Sequence, residues 1–203
     1  WTFYFREGTK WSDGVPFTVD DIIFWYEDMA LNQEYHEQVP AWLKAGGEVA
    51  ELEKIDDYTL KFKFVAPSPL FVDFMSMWPK GPFYEGETLL VCKHYMSQFH
   101  PDYSDEYDNF DVFDEKLQWR ANAEVPVLNP WMPVEVEAGV KMILERNPYY
   151  YVVDQAGNQL PYIDRVEVTL VENLDVNMLK VFGGETEICG RPCKYNDLKN
   201  MSA

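Results

Sequence analysis

Trp1, Phe3 and Phe5 alternate with Thr2, Tyr4 and Arg6, the two-residue period of a half-buried strand. Gly8 and the Asp13-Gly14 pair supply turns after it. Thr18, with Asp21 three residues on, has the spacing of a capping box. A hydroxyl caps orphan amides at a helix start and an acidic side chain answers it. The pattern predicts a helix through IIFWYEDMAL, with Ile22, Ile23, Tyr26 and Met29 on one face. Gly46-Gly47 then breaks the chain. VAELEKI and YTLKFKFV flank Asp56-Asp57 and predict a β-hairpin with a two-residue acidic turn, ended by Pro67 and Pro69. A short apolar helix is expected over LFVDFMSMW, a second over CKHYMSQFH, and a third near Asp114.

The pattern changes character where Pro126, Pro130 and Pro133 cluster, which reads as a boundary or a crossing between two sub-domains. Beyond it GVKMILERN alternates as a strand, and NPYYYVVDQAGNQLPYID is a long connection punctuated by Pro and Gly. VEVTLV is a further strand, and LDVNMLKVF a helix stopped by Gly183-Gly184. Strands and helices in this order predict an α+β fold. The chain opens on a strand pattern and closes on KNMSA just after a helix-like stretch, so it reads as a piece of a longer protein.

Charge and composition narrow the function. Lys and Arg total 17 against 35 Asp and Glu, a formal net charge of −18, which repels phosphate backbones and anionic lipid; nucleic acid is excluded as a partner. Aromatic residues at 16 % exclude a disordered chain and fit close packing or stacking on a ligand. No apolar run approaches a membrane span and no basic-then-apolar leader is present, so the expectation is a soluble piece that meets a membrane only through a lipid anchor or a permease of its parent. Cys189 and Cys193 enclose Gly-Arg-Pro and either close a small disulfide loop in an oxidising compartment or stay unpaired; two thiols cannot complete a zinc shell.

Candidate chemistry is sparse. The Ser12-Asp13-Gly14 run reads as a turn whose Asp bonds its own backbone and whose Gly takes positive φ. His36, His94 and His100 are too scattered for a metal site and read as surface or capping residues. Carboxylates abound, but nothing in the sequence marks a lone acid inside an apolar pocket of the kind that raises a pKa, and there is no Gly-x-Ser-x-Gly elbow or phosphate-cradling glycine loop. No catalytic residue, metal or cofactor is assigned. A carbohydrate-acting enzyme and a structural surface module stay open as rivals to a binding protein.

Arg6, Gly8, Trp11, Asp13, Gly14, Pro16, Phe17, Thr18, Asp20 and Asp21 form a dense ordered run. With Asp57-Tyr58-Thr59, Lys93-His94-Tyr95, His100-Pro101, Arg146-Asn147-Pro148-Tyr149-Tyr150, Leu160-Pro161-Tyr162-Ile163-Asp164 and the close at Gly184, Glu185 and Glu187, it resembles the extracellular solute-binding proteins of ABC importers, family 5, the oligopeptide, dipeptide and nickel class. Two departures stand out. Leu128-Asn129-Pro130-Trp131 replaces a Gly-Thr-Gly-Pro-Tyr type strand, which puts the backbone there in question, and Glu187 replaces an Asp.

The resemblance implies a fragment of a periplasmic-binding-protein type II-like fold: the small sub-domain of lobe one over 1–124 and part of the adjoining sheet sub-domain over 125–203. It implies capture of an oligopeptide, or in the alternative an oligosaccharide, between two lobes, with delivery to the permease subunits of an ABC transporter. The parent would be a cell-surface lipoprotein or periplasmic. Ligand contact is implied just after the Gly-Glu close, at Ile188, Cys189, Gly190 and Arg191, and at Glu172 and Asn173 at the end of the VEVTLV strand. Arg191 has a guanidinium fork for a carboxylate or a ring, and Asn173 an amide for a peptide or a hydroxyl. Trp131 is either a stacking surface or a buried hinge residue.

Overall fold

A computed structural model describes residues 1–73 and 89–188. Strand β1 (Thr2–Tyr4) pairs antiparallel with β5 (Thr59–Lys63), which pairs in turn with β4 (Glu51–Asp56), giving the sheet order β1-β5-β4. The hairpin forms as predicted, one residue displaced. Asp56 ends β4 and its carboxylate accepts from the amide of Tyr58 at 2.8 Å, so Asp57 and Tyr58 make the turn. Gly46 and Gly47 do more than break the chain. Both have positive φ and join β2 (Lys44–Ala45) to β3 (Glu48–Val49), the geometry a two-residue hairpin loop demands.

Helix α1 (Val19–Phe24) starts at the predicted cap. The Thr18 hydroxyl accepts from the Asp20 amide at 3.3 Å and the Asp21 carboxylate accepts from the Thr18 amide at 3.1 Å. From Trp25 to Ala30 the chain winds as a π-helix, with the Leu31 amide reaching the Tyr26 carbonyl at 3.0 Å. Phe24, at the end of the regular α-helix, and Trp25, at the start of the π segment, are buried along with Ile22, Tyr26 and Met29, so the buried surface is broader than the single face predicted. Phe71 anchors an aromatic group with Trp1, Phe3, Trp42, Phe62 and Phe64. The predicted helix over LFVDFMSMW lies, from residue 74 on, outside the described residues.

Helix α2 (Lys93–Met96) and a 3-10 turn (Ser97–Phe99) fulfil the second predicted helix, and α3 (Asp111–Leu117) the third. Between them His100 is fully buried, at 0 % exposure, which corrects the surface alternative of its reading, while the capping alternative holds: it closes the 3-10 turn. Its Nδ1 accepts from the Asp102 amide and its Nε2 faces the Asp28 carbonyl, fixing the tautomer protonated on Nε2. Phe24, Tyr103, Phe110 and Phe113 pack edge-on or tilted around it. An imidazole can sit in this apolar setting because both ring nitrogens are satisfied by main chain.

Strands β6 (Trp131–Glu137), β7 (Lys141–Arg146) and β8 (Arg165–Thr169) form a second antiparallel sheet in that order, and α4 (Leu174–Phe182) follows, ending at Gly183. Asn129 adopts an ordinary backbone: among the described residues only glycines have positive φ. Val125, Val127 and Leu144 belong to the same hydrophobic core as Trp11, Ile22 and Phe62, so side chains from both sheets meet in one packed interior.

Candidate functional site

The opening motif run builds a polar centre. Asp21, nearly fully buried, accepts from the amide of Thr18, from Trp11 Nε1 at 3.2 Å and from the amide of Lys93 at 3.0 Å. Burial pushes its carboxyl above the usual range, while these three donors pull the other way. One acidic side chain thus caps α1, orients Trp11 and docks the start of α2.

His94 reaches back 81 residues, its Nε2 lying 2.6 Å from Asp13 Oδ2, and Cys92 Sγ lies 3.2 Å from its Nδ1. Cysteine, histidine and aspartate in contact invite comparison with a nucleophile and its base. The chemistry does not follow. Sγ is also within 3.4 Å of Nε2, so it does not sit on one ring lone pair. Burial pushes the thiol well above its ordinary range, whereas a nucleophilic cysteine needs the opposite. The cluster clips α2 onto the Asp13 turn. Sequence reasoning missed this contact, since nothing local marks residues so far apart. Among the described residues no group of three or more His, Cys, Asp or Glu is placed to hold a metal ion.

The same turn carries the proline-rich crossing. The Ser12 amide donates to the Val127 carbonyl at 3.0 Å, and the Val127 amide donates to Ser12 Oγ at 3.0 Å. Asn147, fully buried, completes the stitch: its Nδ2 donates to the Asn129 carbonyl at 2.9 Å and, at 3.4 Å, to that of Val127, while its Oδ1 accepts from the Tyr149 amide at 2.9 Å. Tyr149 then lies over Gly14, whose φ is +92°. A Cβ there would stand 3.0 Å from the tyrosine oxygen, so glycine meets both a backbone and a contact requirement. Arg6 secures the far side by donating to the Tyr151 carbonyl at 2.6 Å. Three separated sequence motifs therefore meet at one turn.

The expected ligand-contact residues fall in different places. Trp131 begins β6, packs partly against the core and donates its indole N–H to the Ile163 carbonyl at 2.9 Å. Asn173 is the cap of α4, its Oδ1 accepting from the Val176 amide at 2.9 Å. Glu172, beside it, is exposed. Cys189, Gly190 and Arg191 lie outside the described residues, as does Cys193 and with it the possible disulfide. Glu172 and Asn173 are thus together at the mouth of α4, and Trp131 stands apart on another strand.

With this architecture in view, comparison with known proteins decides the family: the model for bacterial extracellular solute-binding proteins, family 5 (middle region), matches residues 1–197. The chain belongs to that family. The periplasmic alpha-galactoside-binding protein of Rhizobium meliloti (strain 1021) is 33% identical over 189 residues, covering 90% of this chain and 25% of that protein. A solved oligopeptide-binding protein OppA shares 33% identity and superposes with a TM-score of 0.78, covering 99% of this chain and 32% of its own. The periplasmic binding protein MelB from Agrobacterium fabrum C58, solved in complex with stachyose, is 27% identical with a TM-score of 0.72 over 99% of this chain and 29% of MelB. The family 5 fold is therefore present as a fragment: the chain spans about a quarter to a third of the length of these relatives. Among the described residues no helix is long and apolar enough to cross a membrane.

Proposed function

We propose that this chain is part of a solute receptor that captures an oligomeric ligand outside the cytoplasm and hands it to the permease of an ABC importer. The family match over residues 1–197 carries this reading. Residues 1–124 would belong to the small sub-domain of the first lobe and 125–203 to its sheet-bearing neighbour, with the Ser12–Val127–Asn147 stitch fixing one against the other. Glu172, Asn173, Cys189, Gly190 and Arg191 would line the cleft, and Trp131 would offer a ring face at its edge. No bond is made or broken in the ligand. Affinity arises from burying it between lobes while polar groups satisfy its own. The parent would be periplasmic or held at the cell surface by a lipid anchor.

An oligopeptide is the ligand the motif pattern suggests first. The relatives favour a sugar at least as strongly, because one is named for alpha-galactosides and another holds stachyose. We take an oligosaccharide as the leading ligand and an oligopeptide as the second reading, supported by the likeness to OppA. Thermal unfolding of the full-length protein against panels of both separates them. A ligand at 100 times its Kd adds about 2.7 kcal/mol and raises Tm. A rise with α-galactosyl oligosaccharides alone supports the first reading, and a rise with peptides alone the second. Silence across both, or release of monosaccharide from a glycoside, would refute solute capture.

A further inference from the structure

We draw no further inference here: the strongest candidate, the surface patch of exposed Tyr149, Tyr151, Val153, Tyr162 and Ile163 on the loop between β7 and β8, carries none, because nothing in the structure shows what covers it.

Discussion

Replacing Asn147 with alanine removes the residue through which the crossing segment is tied to the Tyr149 loop. Two bonds of 2.9 Å are lost, one to the Asn129 carbonyl and one from the Tyr149 amide; the 3.4 Å contact to Val127 is at the edge of hydrogen-bond range and adds little. A buried group stripped of its partner costs about 1–3 kcal/mol. Both stranded groups are only partly buried, and water recovers some of that cost, so the expected loss is about 3 kcal/mol, against about 0.5 kcal/mol or less for an asparagine in a surface loop. Equilibrium urea unfolding of wild type and Asn147→Ala measures it, with m unchanged if only stability moves. Ser12→Ala removes only the acceptor of the Val127 amide, a separate bond, so its loss should add to that of Asn147→Ala. A loss below about 1 kcal/mol for Asn147→Ala would refute the stitch as the joint between the two sheets.

Thr18→Ala should cost about 1 kcal/mol in the same assay, and Thr18→Ser should restore most of it, because the cap needs only the hydroxyl. Gly14→Ala should destabilise by about 1–3 kcal/mol from backbone strain at φ +92°; combining it with Tyr149→Ala should return only the steric part. At Asp154 the Tyr162 hydroxyl, then the Asn158 side chain and main-chain amides, hold the carboxyl down at about 2, from an ordinary 3.8. A depressed carboxyl contributes stability that is present above pH 3.8 and is lost as pH falls toward 2. Carbon-detected NMR titration should find Asp154 midway near 2, and Tyr162→Phe should raise that midpoint; an ordinary midpoint in the wild type would contradict the turn geometry.

Local signals were legible and distant ones were not. The Thr18–Asp21 box, the hairpin and the Gly183–Gly184 stop are set by residues within a few positions of one another, and the structure places them within a residue of expectation. Helical periodicity assumes 3.6 residues per turn, so it could not anticipate the π-winding at Trp25–Ala30. His100 looks polar in sequence and is buried because the main chain at Asp28 and Asp102 satisfies its ring, which no local pattern encodes. The same holds for Asp13 with His94 and for Ser12 with Val127. Motif resemblance named Trp11, Asp13, Asp21, His94 and Asn147 without saying that they touch, and did not name Ser12, Cys92 or Val127. Asn173 is singled out only as a ligand contact implied by the resemblance; the structure shows it as the cap of α4, a role the sequence reading does not give it.

On the proposed function, this chain supplies one side of a two-lobed solute clamp. Isothermal titration calorimetry of the full-length protein and of residues 1–203, with the same oligosaccharide or oligopeptide, tests this most directly. The full-length protein should bind saturably without consuming the ligand. The 203-residue chain should bind at least about a thousandfold more weakly, a difference of about 4 kcal/mol, since closure by the opposing lobe excludes water and completes the contacts. Equal affinity in the two would place the whole site within residues 1–203 and contradict the clamp.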